Sequence, residues 1–128
     1  MSEMELKAQI RLALGRRPNV RLFNNPCGQG WIGKATRLHD GAMLIAGPQR
    51  VVYGLAPGSA DLIGWRQVVI TPDMVGQTIA QFVSQEIKAL NGRTTPEQHT
   101  WRQVVTAAGA CAGVVRSVDE ALAMVAGR

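Results

Sequence analysis

The sequence lacks the features that mark several common protein classes. No run of 18 apolar residues is available to cross a membrane, and the start Met-Ser-Glu-Met-Glu has neither the basic residues nor the apolar centre of a secretion signal. Cysteine occurs only at Cys27 and Cys111, without a Cys-x-x-Cys pair or a histidine cluster, which argues against a zinc site. We therefore expect a cytoplasmic protein without disulfides.

The size and charge of the chain indicate what type of domain it forms and what type of partner it binds. The chain has 128 residues, of which 46% are hydrophobic, and this predicts one globular domain spanning residues 1–128 with a modest core. The net charge is +5, and eleven of the fourteen cationic side chains are arginine, whose planar fork matches phosphate oxygens. A polyanionic partner explains this balance; general solubility is the alternative.

Local patterns predict alternating helices and strands. A capping box at Ser2-x-x-Glu5 starts a helix that runs to about Leu14, and Thr95 and Ser117 are predicted to cap two later helices. Strands are predicted at residues 19–24, 35–38, 42–45, 50–55, 61–70, 79–90 and 110–116. The succession of strand, helix, strand and helix at the end predicts a right-handed crossover within one sheet. We expect an α/β fold with a mixed central β-sheet flanked by helices.

A glycine-rich stretch at residues 26–34 comes close to a phosphate-binding loop. Gly28-x-x-x-x-Gly33-Lys34 has the required spacing, but Ala35 replaces the necessary hydroxyl and the next residues alternate like a strand. We reject nucleotide binding there. The stretch is instead predicted to be a mobile loop that carries Trp31 and Lys34 to nucleic acid; packing of Trp31 in the core or against another subunit is the alternative.

The most informative stretch spans residues 58–98. Glu86 and Lys88 are two residues apart in a predicted strand, so they project from the same face as Phe82 and Ser84. If residues 61–70 and 79–90 form a hairpin around Met74, Asp61 comes to lie opposite them. Two carboxylates can share a hard divalent cation, and a lysine beside it can act on water or phosphate, which indicates metal-assisted phosphodiester hydrolysis. The alternative is an ordinary surface strand with a weak, exposed Glu–Lys pair.

Several segments together resemble a known family. Residues 58–64 read Gly-Ser-Ala-Asp-Leu-Ile-Gly, residues 82–88 read Phe-Val-Ser-Gln-Glu-Ile-Lys, and a glutamine follows at Gln98. This ordered set resembles the virus-type replication-repair nuclease (VRR-NUC) domain of the PD-(D/E)xK nuclease superfamily. The likeness covers residues 54–122 and, more loosely, the first helix. Ala60 stands where the superfamily's nominal motif has a proline.

The resemblance implies a fold, a reaction and a set of site residues. The fold would be the restriction-endonuclease-like core of the superfamily, and the activity a metal-dependent DNA endonuclease that leaves 5′-phosphate and 3′-hydroxyl ends. Asp61, Glu86 and the Ile87 carbonyl would bind Mg²⁺ or Mn²⁺, and Lys88 would position or activate the attacking water. Gln98 would orient Lys88 or that water.

Two of the implied residues also have a simpler interpretation. Glu3 begins a stripe of the first helix that continues with Leu6, Ile10 and Leu14 and is otherwise predicted to be buried. Glu3 also matches an acidic position near the family's metal pocket, but a glutamate is favourable at any helix N-terminus. Gln98 completes a capping box with Thr95, yet it also heads the face that Trp101 and Val105 share. Both alternatives stay open at this point.

The resemblance also implies partners. Small stand-alone members of the family are similar to resolvases that act as homodimers on branched DNA such as four-way (Holliday) junctions, in bacteria or phage-infected cells. A two-fold junction calls for two sites related by two-fold symmetry. Lys34, Arg93 and Arg102 are predicted phosphate contacts. The competing hypothesis is a non-catalytic basic module that binds nucleic acid with the nuclease fold.

Overall fold

The computed structural model describes residues 2–126 as a mixed α and β structure, which confirms the predicted class at that level. Its strands form three two-stranded sheets, in which β1 pairs with β4, β2 with β3 antiparallel, and β5 with β6 parallel. Residues Met1–Gly64 and Trp65–Arg128 form two compact units, each of which is described by itself. The elements are α1 (Glu3–Gly15), β1 (Val20–Asn24), β2 (Gly28–Arg37), β3 (Met43–Tyr53), β4 (Leu62–Arg66), a 3₁₀ turn (Pro72–Met74), β5 (Val83–Ile87), α2 (Pro96–Ala107), β6 (Cys111–Val115) and α3 (Val118–Val125).

The three predicted helix starts are confirmed. Ser2 and Thr95 accept a hydrogen bond from the backbone N–H three residues on, and in both cases the side chain at that third position, Glu5 or Gln98, binds back to the backbone of the cap. Ser117 accepts from the Glu120 N–H. Because each cap satisfies a backbone donor that the helix leaves unpaired, these short sequence signals locate helix starts reliably.

The hairpin around Asp40-Gly41 is confirmed, but it is longer than predicted. β2 begins at Gly28, so the predicted mobile glycine-rich loop is wrong: that stretch is a strand paired with β3. The register shifts between Ile32 and Lys34, and a Cβ on the intervening Gly33 would come within 2.6 Å of the Ala46 carbonyl oxygen. Glycine is therefore required at this bulge by close approach of backbone rather than by phosphate binding.

The predicted hairpin between residues 61–70 and 79–90 is wrong. Within the described chain β4 pairs with β1, while β5 pairs in parallel with β6. The Thr71-Pro72 turn forms a 3₁₀ helix instead of a strand reversal. Parallel pairing of β5 and β6 needs a crossover, and α2 supplies it, because 23 residues between the strands are far too many for a tight turn.

Burial is sparse in both units. Only Val105 of α2 and Val115 of β6 are buried among residues 2–126. The predicted buried stripe of α1 is wrong for the isolated chain, because Leu6 and Ile10 stay 48% and 38% exposed. No helix in the described part of the chain is long and apolar enough to cross a membrane.

Candidate active site

One face of β5 is joined to α2 by two side-chain hydrogen bonds. Trp101 Nε1 donates to Ser84 Oγ at 2.9 Å, and Gln98 Nε2 donates to Glu86 Oε1 at 2.8 Å. The donors lie three residues apart on the helix and the acceptors two apart on the strand, so both pairs share one interface. The Phe82 ring lies 6.4 Å from the Trp101 ring. The prediction that Phe82, Ser84 and Glu86 share one face is confirmed.

The Glu86 carboxylate is the centre of a polar cluster in the second unit. Its Oε1 lies 3.4 Å from Lys88 Nζ and also accepts the Gln98 hydrogen bond. The Lys88 side chain is 19% exposed and that of Glu86 is 36% exposed. No hydrogen bond within residues 2–126 engages Glu86 Oε2. One carboxylate oxygen thus fixes the two neighbouring side chains while the other stays free to accept a ligand.

Gln98 completes the predicted capping box and also contacts Glu86. Its Oε1 accepts the Thr95 N–H at 2.9 Å, and its own N–H donates to Thr95 Oγ1 at 3.1 Å, which completes the capping box. Its Nε2 still reaches Glu86. The first turn of α2 therefore holds the amide rigidly, because both ends of the Gln98 side chain are engaged.

Arg116 holds the loop that follows Lys88, and sequence reasoning missed it. Its Nη1 donates to the carbonyl oxygens of Ala89 at 2.6 Å and Gly92 at 2.7 Å, and more weakly to that of Leu90 at 3.3 Å. Lys88 N also donates to Val115 O at 3.1 Å, directly before Arg116. No local pattern could reveal this role, because the arginine and the loop are 24 to 27 residues apart.

In the first unit, Asn25 organises the loop that carries Asp61. Its Nδ2 donates to Ser59 Oγ at 2.7 Å and to Ala60 O at 2.9 Å, and its Oδ1 accepts the Leu55 N–H. Its own N–H donates to Asp61 O at 2.9 Å. Sequence reasoning missed Asn25 as well. The backbone at Asp61 is thus fixed while its side chain stays exposed to solvent.

The same loop brings a thiol close to a hydroxyl. Cys27 Sγ lies 3.2 Å from Ser59 Oγ, and this hydrogen bond is the main cause that lowers the pKa of the Cys27 thiol. The thiol is exposed. In the described structure its hydrogen bonds to Ser59 and Ala56 join the residue before β2 to the loop before Asp61.

Backbone geometry explains why glycine occupies the two motif positions on either side of Asp61, Gly58 and Gly64. Gly58 has a φ of +84°, a conformation that side chains with a Cβ rarely adopt. A Cβ on Gly64 would overlap the carbonyl oxygen of Arg21 on β1. The glycines of the quoted motif therefore shape the backbone around Asp61, whatever chemistry takes place there.

The remaining predicted residues have varied surroundings. Glu3, Lys34 and Arg93 are exposed, and the Ile87 side chain also faces solvent. Arg102 is half-buried: its Nη2 lies 3.0 Å from His99 Nδ1, and its Nη1 is screened from solvent without a hydrogen-bond partner.

The structure brings Glu86, Lys88 and Gln98 together, and the predicted meeting with Asp61 and Glu3 stays a prediction. Those two acids belong to the unit Met1–Gly64, whereas the cluster belongs to Trp65–Arg128. Within residues 2–126 no group of three or more His, Cys, Asp or Glu side chains is placed to hold a metal ion.

No match was found. Neither a protein-family model, nor a curated protein, nor a solved structure shows significant similarity to this chain.

Proposed function

We propose that the protein is a divalent-metal-dependent, structure-selective endonuclease that hydrolyses phosphodiester bonds in branched DNA, with a PD-(D/E)xK core of the VRR-NUC type. The observation that carries this proposal is the convergence of Glu86, Lys88 and Gln98 at the end of β5. Glu86 and Lys88 form the Glu-x-Lys pair on which the resemblance rests, and Gln98 is the glutamine that follows it. The net charge of +5 suits a polyanionic substrate.

The donor chemistry suits a hard divalent ion. Glu86 Oε2 is not engaged by another described side chain, the Asp61 side chain is exposed, and carboxylate and carbonyl oxygens are the donors that Mg²⁺ and Mn²⁺ prefer. We assign Asp61, Glu86 and the Ile87 carbonyl to the ion, and Glu3 to a supporting position or a second ion. A bound ion supplies charge stabilisation at the scissile phosphate.

The other two residues act on water and phosphate. Lys88 positions the attacking water, takes its proton, or offsets negative charge that develops on the phosphate. Gln98 restrains the Glu86 carboxylate through its 2.8 Å hydrogen bond, and the same carboxylate oxygen lies 3.4 Å from Lys88 Nζ. Selectivity for branched DNA and the choice of the strand that is cut depend on contacts between the DNA and residues outside this cluster.

The cleavage test uses labelled four-way junction, flap, splayed and linear duplex DNA, with Mg²⁺ or Mn²⁺ and with EDTA. We expect metal-dependent incision of branched substrates, and nicks that DNA ligase can seal because they carry 5′-phosphate and 3′-hydroxyl ends. Asp61→Asn and Glu86→Gln should each abolish incision, because each removes one anionic ligand. Asp119→Asn is the matched control, since it removes an exposed carboxylate from α3.

Incision that persists in EDTA, or in both carboxylate variants, would contradict the metal mechanism. Binding of branched DNA without incision under every metal condition would instead favour the non-catalytic basic module. That second candidate is supported by the pairing of Glu86 with Lys88 and Gln98, which is also what a purely structural cluster would show.

We further propose that the protein works as a homodimer. The chain exposes 10645 Å². Two independent folded units of half its mass would together expose about 8,000 Å². The chain therefore exposes about 2,600 Å² more surface than two such units are expected to expose. An interface of obligate dimers buries roughly 2,000 to 5,000 Å² in total, which this excess can supply. The exposed surface is rich in large apolar side chains, including Ile32, Val52, Val69 and Val75.

Light scattering coupled to gel filtration checks the dimer. We expect a mass about twice the 13.8 kDa of the chain at micromolar concentration. The mass should be unchanged in 1 M NaCl, because an apolar interface is not weakened by salt whereas a complex bridged by nucleic acid is. A mass of 13.8 kDa would refute the dimer and leave the nuclease proposal standing.

A further inference from the structure

The end of α1 and the start of β1 enclose a cavity of about 340 Å³ that is lined by four arginines, Arg11, Arg16, Arg17 and Arg21. All of its lining residues belong to the first unit, whereas Glu86, Lys88 and Gln98 belong to the second. The residues that complete its lining are glycine, proline, valine and leucine, without a carboxylate. The cavity is therefore strongly and uniformly basic.

The local fold explains why these arginines share a cavity. Arg11 lies one helical turn before Gly15, where α1 ends. The Arg17 N–H donates to Leu14 O at 3.0 Å and Val20 N–H to Arg17 O at 3.4 Å, so the chain turns tightly around Pro18. β1 then presents Arg21 to solvent between half-buried Val20 and Leu22.

Nothing within the described chain neutralises the four charges. Among residues 2–126 the one salt bridge joins Lys88 to Glu86. Within the same residues, the side chains of the four arginines that line the cavity make no hydrogen bond. Like charges held together repel unless an anion lies between them. The negative end of α1 favours cations such as Arg16 and Arg17, which directly follow the helix, but it does not account for Arg21 on the strand.

We propose that this cavity binds the sugar-phosphate backbone of duplex DNA. Arginine forks fit phosphate oxygens in bidentate fashion, and four of them can bridge successive phosphates along one strand. Phosphate contacts carry no direct sequence information, so binding of the backbone by these arginines is independent of sequence. This inference rests on the proposed function. The arginine cavity would bind one duplex arm of the DNA, and the Glu86 cluster would carry out the hydrolysis.

The test measures DNA binding without cleavage. A fluorescent linear duplex is titrated with the full-length protein in EDTA at several salt concentrations. Replacing two arginines, Arg16→Ala with Arg17→Ala, should weaken binding about tenfold or more and make the slope of log affinity against log salt shallower by about 2. Arg16→Lys with Arg17→Lys should keep the slope, because the charge is unchanged. Arg37→Ala with Arg66→Ala is the control of equal charge loss at exposed positions outside the cavity.

Two outcomes would overturn the proposal. One is an unchanged salt slope in the alanine variant, and the other is an equal change in the control variant, which would show general charge attraction. The binding test requires no metal ion and no cleavage. Refutation of the arginine site would therefore not refute the nuclease proposal, and absence of incision would not affect the binding measurement.

Discussion

Replacing Lys88 with alanine should reduce metal-dependent incision by about 100-fold to 10,000-fold, the range expected when a positioned proton-transfer or charge-stabilising group is lost. The ammonium group lies 3.4 Å from Glu86 Oε1, and its side chain is only 19% exposed. Solvent cations therefore cannot easily replace it. The rate of single-turnover incision of a four-way junction measures the effect directly, because it excludes product release.

Folding should be almost unaffected by the same change. A partly exposed ion pair contributes about 1 kcal/mol or less, and Glu86 keeps its hydrogen bond to Gln98. Lys7→Ala, which removes the same charge from α1, is the matched control. A Lys88→Ala protein that cuts at the wild-type rate would contradict the role of Lys88.

Lys88→Arg separates the two chemical roles of this residue. A guanidinium stays charged but cannot give up its proton in a protein, so it can offset charge on phosphate without acting as a base. Recovery of most activity in Lys88→Arg would assign Lys88 to charge stabilisation. Failure to recover, with DNA affinity intact, would assign it to water activation.

The parts of the fold that sequence predicted best are those determined by neighbouring residues. Ser2, Thr95 and Ser117 each cap a helix through a hydrogen bond to the third residue on, and Asp40-Gly41 forms the turn of a hairpin. Such signals need no tertiary context. The pairing of strands, in contrast, depends on tertiary context. The order of elements correctly predicted that β5, α2 and β6 cross over within one sheet, but the predicted pairing of β5 with the segment before it is wrong, since either pairing satisfies local propensity.

The same distinction holds for the candidate site. Period-two alternation correctly placed Ser84, Glu86 and Lys88 on one face, because that follows from strand geometry alone. Asn25 and Arg116 were missed because their partners lie more than 20 residues away along the chain. The glycine-rich β2 was misinterpreted because glycine favours both mobile loops and bulges, and only the facing strand decides between them.

A second large effect is expected at Gly64, where alanine should lower the free energy of unfolding by about 3 kcal/mol, because the added methyl group overpacks a tight contact. A Cβ at this position would overlap the Arg21 carbonyl oxygen and lie 2.9 Å from the Leu22 Cα. These are backbone atoms of β1, so no side-chain rotation can make room and the strand itself must move. Urea unfolding and thermal melts measure the loss, which corresponds to about 10 °C in Tm.

Gly15→Ala provides the matched control for this prediction. No heavy atom lies within 4 Å of a Cβ at Gly15, which is the last residue of α1, so alanine there should be neutral or slightly stabilising. Both variants add one methyl group and must be compared at equal protein concentration, since dissociation of a dimer would also change the melt. Because Asn25 at the end of β1 holds the Asp61 backbone, a displaced β1 should also reduce incision by Gly64→Ala but not by Gly15→Ala. Equal stability of the two variants would mean that β1 and β4 are not in the close contact on which the position of Asp61 depends.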